Sequence, residues 1–157
     1  MARNSRTRPE AIDDPLIPPN MRRSLIIALV RGREAVMGRF RPVLSPYDLT
    51  EQQWRVIRVL ADESPLDASE VASRSAVLAP SLTRILRTLE ERRLVRRRRD
   101  IEDQRRARLE LAPGGVALLR EVVPQSRLVY EEIERRFGRE RLDQLLDLLG
   151  ELGDLKP

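Results

Sequence analysis

The sequence predicts a mostly α-helical fold with a small β-hairpin, and three observations support that prediction. Apolar residues recur every three or four positions along most of the chain, as they do in helices with one buried face. Two of these helical stretches are short, and only a tight break separates them. An arginine-rich segment follows, in which apolar and charged residues alternate as in a half-buried strand.

The composition limits the possible classes of function. The chain has 157 residues, which fits one compact domain or two small domains that share a core. It contains no histidine and no cysteine, so it lacks imidazole and thiolate metal ligands, the usual general base and any thiol redox sensor. No GxxxxGK phosphate-binding loop occurs. We therefore expect no enzymatic activity, no cofactor and no metal.

The charge balance indicates an acidic partner. Charged residues make up 35% of the chain, and the sequence pI is about 10.7. Nucleic acid is the first candidate partner and an anionic membrane surface the second. The sequence has no apolar run of roughly 18 residues that would span a membrane, and no apolar signal-peptide core near its N-terminus. We expect a cytoplasmic protein without a membrane partner.

The N-terminal part is predicted to form an arm and one long helix. Residues 1–19 contain four prolines and scattered charges, which favours a flexible arm. Asn20 can cap a helix over residues 21–41, and Pro42 should end it because proline has no N–H and its ring blocks the preceding turn. The helix is apolar over much of its circumference, which suits contacts with its own domain and with a second subunit.

Capping signals mark the starts of the next two helices. Thr50 and Gln53 have the spacing of a capping box, and the second helix should end at residues 63–65 (ESP). Asp67 or Ser69 then caps a short third helix.

A fourth helix is predicted after a break at residues 76–78. Pro80 lies in its first turn, where a missing N–H costs nothing, and the helix should reach about residue 93. Its expected buried stripe is Leu82, Ile85, Leu86 and Leu89.

Two strands are predicted next, over residues 94–99 and 105–111, with residues 100–104 as the connecting loop. In the second strand, Ala107, Leu109 and Leu111 alternate with charged residues, so these three side chains should share the buried face.

The C-terminal part is predicted to form two helices. Residues 113–115 open a long helix to about residue 136, in which Pro124 should cause a kink or a local adjustment. Gly138 ends it, and a last helix covers residues 139–152. The last helix carries an apolar stripe of Leu142, Leu145, Leu149 and Leu152. This stripe either belongs to the intramolecular core or meets a partner subunit.

Together these elements have the order of a winged helix-turn-helix. Two short helices joined by a tight turn place the second helix across the first, where it can enter a DNA major groove about 12 Å wide. Twelve arginines and six acidic residues lie between Ser69 and Arg108, a net charge of +6, while the whole chain carries +5. This segment has no lysine, and a guanidinium can form two hydrogen bonds with phosphate or guanine, which an ammonium cannot. The sequence therefore predicts DNA binding.

The candidate DNA contacts lie on the short helices and the hairpin. Arg84 and Arg87 are expected to read bases, while the hairpin arginines hold phosphates and enter the minor groove. The full set is Ser69, Ala79, Pro80, Ser81, Thr83, Arg84, Arg87, Arg97, Arg99, Asp103, Arg105, Arg106 and Arg108.

Several segments resemble the MarR family of transcriptional regulators. They are residues 50–57 (TEQQWRVI), residues 80–83 (PSLT) and residues 103–106 (DQRR) before residues 109–111 (LEL). Within that family, residues 24–29 (SLIIAL), 33–35 (REA) and 40–42 (FRP) resemble the repressors of homoprotocatechuate degradation. The order of elements matches from about residue 20 to residue 155.

This resemblance implies a homodimer, formed by a helical dimerisation region over residues 20–45 and 113–157, which flanks the winged domain at residues 46–112. The recognition helix would lie at about residues 79–92 and the wing at about residues 95–111. The implied partners are double-stranded DNA with a pseudo-palindromic operator and a small aromatic carboxylate. The implied function is repression of an aromatic-degradation operon, which that effector relieves.

The resemblance also assigns roles near the wing. In the family, an aspartate and an arginine two residues later brace the wing loop, and Asp103 and Arg105 match that pattern. The family often has threonine at the entry to the long helix, where this chain has Ala112, and the change removes an N-cap worth about 1 kcal/mol.

Family effector pockets lie where the dimer helices meet the DNA-binding lobe, and three residues suit an aromatic acid. Arg33 lies on an apolar stripe of the first helix and could pair with a carboxylate. Trp54, the only tryptophan, could stack on a ring, and Ser24 could donate a hydrogen bond. Arg23 and Arg55 are further candidates. Simpler roles stay open, since Arg33 can pair with a neighbouring glutamate and Trp54 can be a core residue.

Two other functions fit the same features. A MarR-type regulator of a different operon, such as one for efflux or stress, would share the motifs. A basic adaptor protein would instead dock on a protein or an anionic membrane, without preference for a DNA sequence.

Overall fold

The computed structural model describes residues 24–99 and 107–155. Within those ranges the chain forms six α-helices and one two-stranded sheet. In order they are α1 (Leu25–Leu44), a 3₁₀ turn (Ser45–Tyr47), α2 (Glu51–Asp62), α3 (Ala68–Ser75), α4 (Ala79–Glu91), β1 (Val95–Arg99), β2 (Ala107–Leu111), α5 (Pro113–Phe137) and α6 (Arg139–Gly153). The predicted mostly helical fold with a small β-wing is confirmed.

The chain divides into two units between Ala35 and Val36. In the described part of the first unit, Ser24 caps α1, because its carbonyl accepts the Ala28 N–H (3.0 Å) and its hydroxyl accepts the Ile27 N–H (3.4 Å). The predicted cap, Asn20, lies outside the described residues, as does the predicted arm at residues 1–19. The apolar side chains of this segment are exposed, namely Leu25, Ile26, Ile27, Leu29 and Val30.

The prediction that Pro42 ends the first helix is wrong. The helix continues to Leu44 with Pro42 inside it. A proline in the last turn leaves only one carbonyl without its helical partner, which is a smaller loss than in a helix centre. Burial offsets that loss, because Phe40 and Leu44 are both almost fully buried, one turn apart.

The helix-turn-helix is built from the predicted caps. Thr50 and Gln53 form a capping box at α2, with the Gln53 N–H donating to the Thr50 hydroxyl at 3.2 Å. Of the two candidates for α3, Asp67 is the cap, and its carboxylate accepts the Glu70 N–H at 2.9 Å. Ala76 then adopts a left-handed conformation (φ 49°), which ends α3 and allows the turn into α4.

The core of the second unit lies among α2, α3, α4, the sheet and α5. The predicted stripe of α4 is buried in full. The completely buried side chains come from several elements and include Val56, Ile57, Leu60, Val71, Leu86, Leu89, Val95, Leu109 and Val122. The short helices are therefore fixed by shared burial.

The two strands pair antiparallel, with Arg97 opposite Leu109 and Arg99 opposite Ala107. Leu109 also exchanges backbone hydrogen bonds with Leu66, which attaches β2 to the segment before α3. Of the three alternating residues, Leu109 is buried and Leu111 half-buried, but the prediction that Ala107 is buried is wrong. Ala107 lies at the far end of the hairpin, where the sheet has passed the core. The predicted loop at residues 100–104 lies outside the described residues.

The long helix α5 begins at Pro113 and continues through Pro124 to Phe137. Ala112 occupies its N-cap position and makes no side-chain capping bond. Gly138, at φ 96°, separates α5 from α6. No residue of α6 is buried in the single chain, so its leucine stripe is not intramolecular core. No helix in the described ranges has the length and apolar character needed to cross a bilayer.

Candidate functional site

The outer surface of α4 presents small and basic side chains. Ala79, Pro80 and Thr83 are exposed and Ser81 is half-buried. Arg84 is exposed and has no ion pair with any residue in the described ranges. Because the opposite face of the helix is buried, this surface is the part of α4 that can enter a groove.

Some of these arginines already form ion pairs with nearby carboxylates. Arg87 pairs with Glu91 one turn along α4, at 2.9 Å, although the arginine side chain is 81% exposed. Arg97 of β1 pairs with Glu90 of α4 at 2.5 Å, which fastens the hairpin to the end of that helix. Arg99 is exposed and forms no ion pair within the described residues.

The start of α3 is also tied to the hairpin. The Ser69 hydroxyl donates to the Asp67 carboxylate at 2.7 Å, and this bond is the largest cause that lowers the pKa of Asp67. The guanidinium of Arg108 lies 3.2 Å from Glu70, the other member of the capping box. Arg108 thus links β2 to α3, in addition to any DNA contact. The remaining predicted contacts, Asp103, Arg105 and Arg106, lie outside the described residues.

Arg92 anchors the end of α4. Its guanidinium donates to the carbonyls of Tyr47 (2.7 Å) and Asp48 (2.8 Å), in the turn between α1 and α2. The Tyr47 hydroxyl in turn accepts a hydrogen bond from Gln125 of α5 at 2.9 Å. These bonds connect the end of α4 to α5 through one turn.

A cavity of about 340 Å³ lies beside α2. Aromatic side chains form part of its wall, since the rings of Phe40 and Tyr130 meet edge to face at 4.9 Å and Trp54 is nearby and almost fully buried. Its lining residues are Val36, Met37, Phe40, Glu51, Trp54, Arg55, Arg58, Val59, Arg74, Ser75 and Tyr130. The volume is in the range of about 300–1,000 Å³ typical of small-molecule sites.

The charged edge of this cavity is mainly basic. Arg74 is engaged by Glu63, which raises the pKa of its guanidinium. Arg55 donates to the carbonyl of Ala76 at 3.2 Å, while its Nε is buried and has no hydrogen-bond partner in the described part of the chain. Arg58 is exposed and makes no ion pair with the residues described. A carboxylate at the edge of the cavity could therefore reach the guanidinium of Arg58.

Of the five effector candidates predicted from the sequence, two line the cavity, two lie in the first unit and one is outside the described residues. Trp54 and Arg55 line the cavity, and Trp54 is also a core residue. Ser24 and Arg33 belong to the first unit, where Ser24 caps α1 and Arg33 pairs with Glu34 at 2.9 Å, the simpler role considered above. Arg23 lies outside the described residues.

Sequence reasoning missed Glu51, Arg58 and Tyr130 as lining residues. A signal existed for the first two, because Glu51, Trp54 and Arg58 follow a three- and four-residue spacing and share a face of α2. Tyr130 had no local signal, since only the packing of α5 brings it to the cavity.

Comparison with known proteins identifies the family. The family model described as MarR family matches residues 47–106. The homoprotocatechuate degradative operon repressor of Escherichia coli is 43% identical to this chain over 83% of its length and 88% of the relative's. The chain belongs to the MarR family. As a member, it is a DNA-binding transcriptional regulator and not an enzyme, as predicted.

Two solved structures extend the comparison of this MarR protein. NadR in complex with 4-hydroxyphenylacetate is 42% identical, with a TM-score of 0.77, over 85% of this chain and 94% of that one. The transcriptional repressor CouR bound to a 23-mer DNA duplex is 27% identical, with a TM-score of 0.75, over 85% of this chain and 95% of that one. The similarity therefore covers the helices on both sides of the winged domain.

Proposed function

We propose that this MarR protein is a homodimeric repressor of an aromatic-degradation operon, which a hydroxylated arylacetic acid releases from a pseudo-palindromic operator. The observation that supports this most is the cavity with an aromatic wall and an arginine edge. The relatives agree with it, since one represses a homoprotocatechuate operon and another holds 4-hydroxyphenylacetate. The site of action is the cytoplasm, where the operator lies.

In this proposal the two ends of the effector meet different groups. The ring stacks among Phe40, Trp54 and Tyr130, which bury apolar surface and favour offset or edge-to-face contacts. The carboxylate pairs with Arg58, which is exposed at the cavity edge. Arg55 lines the same cavity and adds positive charge near the carboxylate, although its Nε is buried. Charge-assisted bonds of this kind are about twice as strong as neutral ones, so the arginines select acids over neutral analogues.

Operator recognition is assigned to α4 and the wing. Arg84 reads a base edge, because it lies on the outer face of α4 and forms no ion pair within the described residues. Arg87 can also contact a base edge if its guanidinium leaves Glu91 and binds a guanine instead. Arg99 holds phosphate or enters the minor groove.

The homodimer is formed through apolar surfaces that the single chain leaves uncovered. In the second unit, α6 exposes Leu145, Leu146, Leu148 and Leu149. The first unit separately exposes the apolar side chains of residues 25–30. Exposed apolar side chains in such numbers mark an interface. A two-fold dimer presents its recognition helices about 34 Å apart, one turn of DNA.

Release of the DNA follows from thermodynamic linkage between effector binding in the cavity and the spacing of the two recognition helices in the dimer. Phe40 belongs to α1 and Tyr130 to α5, and both helices lie in the proposed dimerisation region. A ligand that wedges between these rings and α2 favours a spacing that does not match the operator. The factor by which it weakens DNA binding equals the factor by which DNA weakens ligand binding.

DNA binding can be tested with the full-length protein and operators selected from random duplexes. Arg84→Ala should reduce discrimination between selected and random DNA, whereas Arg99→Ala should weaken both by a similar factor. Each lost base contact should cost about 1–3 kcal/mol of discrimination. Failure of the wild-type protein to enrich any sequence would reject the proposed operator binding.

Effector binding can be followed by the fluorescence of Trp54, the only tryptophan. 4-Hydroxyphenylacetate should change this fluorescence and release operator DNA, while 4-hydroxyphenylethanol, which lacks the carboxylate, should bind more weakly. Arg58→Gln should raise the dissociation constant by roughly tenfold to a hundredfold, the equivalent of a charged hydrogen bond of about 1.5–3 kcal/mol. Arg120→Gln is the matched control, because Arg120 is an exposed arginine that does not line the cavity. Operator binding that persists at saturating ligand would reject this effector and leave a MarR regulator of another operon.

A further inference from the structure

The wing arginines are arranged on two faces of the hairpin. The antiparallel register places Arg96 opposite Glu110 and Arg98 opposite Arg108, so these four residues share one face. The other face contains Val95 and Leu109, which are buried against the core. The first face is therefore the outer face of the wing.

Glu110 holds two arginines of this outer face at once. One carboxylate oxygen lies 2.6 Å from the Nε of Arg96, and the other lies 3.4 Å from a terminal nitrogen of Arg98. The Glu110 side chain is only 13% exposed, while both arginine side chains remain more than half exposed. Each arginine thus already has an anionic ligand before it meets DNA.

We propose that Glu110 is an internal competitor for phosphate, which limits how tightly the wing holds DNA of any sequence. A carboxylate and a phosphate oxygen offer a guanidinium the same kind of acceptor, so Arg96 and Arg98 must exchange or share Glu110 to bind the backbone. The carboxylate then stays among phosphates as a like charge, which opposes binding. The inference depends on DNA binding by the wing, but not on the identity of the effector.

This placement has a consequence for regulation. Contacts with phosphates add about the same binding free energy to every DNA sequence, whereas base contacts from α4 distinguish the operator. By weakening the phosphate contacts of the wing, Glu110 lowers the affinity for all DNA without altering the preference for the operator over other sequences. A repressor held less tightly is released by a smaller coupling free energy from the effector.

The test compares Glu110→Gln with the wild-type protein on a selected operator and on a random duplex, over a series of salt concentrations. Both affinities should rise by the same factor, about fivefold at physiological salt for each further phosphate that the wing neutralises, and the salt dependence should steepen by about 0.9 for each such phosphate. Glu131→Gln is the matched control, since it removes the same charge from an i,i+4 pair with Arg127 within α5. It should leave both the affinity and the salt dependence unchanged.

A double substitution separates this role from a structural one. In an Arg96→Gln, Arg98→Gln background, Glu110→Gln should give a clearly smaller gain in DNA affinity, because the guanidiniums that it would free are absent and only the like-charge repulsion is relieved. An equal gain in that background, or a loss of affinity in the single variant with its melting temperature unchanged, would overturn the proposal. If Glu110→Gln unfolds the wing, Glu110→Asp provides the second variant, since its shorter side chain cannot reach both arginines and should give part of the gain. Wild-type protein that binds neither duplex would instead reject the DNA-binding function itself.

Discussion

Gly115 lies where α5 starts against the base of the wing, and replacing it with alanine should disrupt that joint. A Cβ at Gly115 would be 2.1 Å from the carbonyl oxygen of Leu94 and 3.2 Å from a methyl group of Leu111. The first group is backbone and cannot rotate away, since the same oxygen accepts the Ala112 N–H at 3.0 Å. Restoring an ordinary contact of 3.4 Å would require α5 and the wing to separate by about 1.3 Å.

The expected cost follows from that overlap. Overpacking typically destabilises by about 1–3 kcal/mol, and a shift of two backbones belongs at the upper end. Alanine recovers part of this, because it is better than glycine in a helix by roughly 0.5–1 kcal/mol. The free energy of unfolding should therefore fall by about 2 kcal/mol, and for a chain of this length the melting temperature should fall by roughly 4–8 °C.

Thermal and denaturant unfolding, followed by circular dichroism at one fixed protein concentration, measure this effect. The matched control is Gly38→Ala in the middle of α1, where a Cβ would meet nothing within 4 Å. It should stabilise the protein slightly, by roughly 0.5–1 kcal/mol. If Gly115→Ala were as stable as the wild type, the close approach of α5 to the wing would be refuted.

Three further predictions concern the same framework. Ala112→Ser supplies the missing N-cap of α5 and should raise the free energy of unfolding by about 1 kcal/mol, measured by urea titration; no gain would contradict the capping geometry. Arg92→Ala removes both bonds to Tyr47 and Asp48 and should destabilise by about 1–3 kcal/mol, whereas unchanged unfolding would argue against the anchor. The Ser69 hydroxyl and the Glu70 N–H lower the pKa of Asp67 in the folded protein. The ionised carboxylate therefore stabilises the fold at pH values above its ordinary pKa of 3.8, and that stabilisation is lost as the pH falls through the folded pKa. The advantage of wild type over Asp67→Asn in melting temperature should shrink below pH 3.8, and a constant difference would refute this.

Most elements of the fold were determined by local sequence, because caps and periodicity act within a few residues. The capping box at Thr50, the break at residues 76–78 and the buried stripe of α4 were all predicted and are all present. The error at Pro42 arose because burial of Leu44 stabilises one more turn, and burial is a property of the whole core. Ala107 was placed inside because alternation gives the face of a residue but not where the core ends.

The site shows the same division between local and tertiary information. The sequence by itself determined a basic winged helix-turn-helix, since arginine content and element order can be read along the chain. Only the tertiary structure decided which arginines are already occupied, because Glu90, Glu110 and Glu70 reach Arg97, Arg96 and Arg108 across elements. It alone brought Tyr130 to the cavity beside Trp54. Ion pairs and cavities depend on the register and packing of distant segments, and no local pattern encodes them.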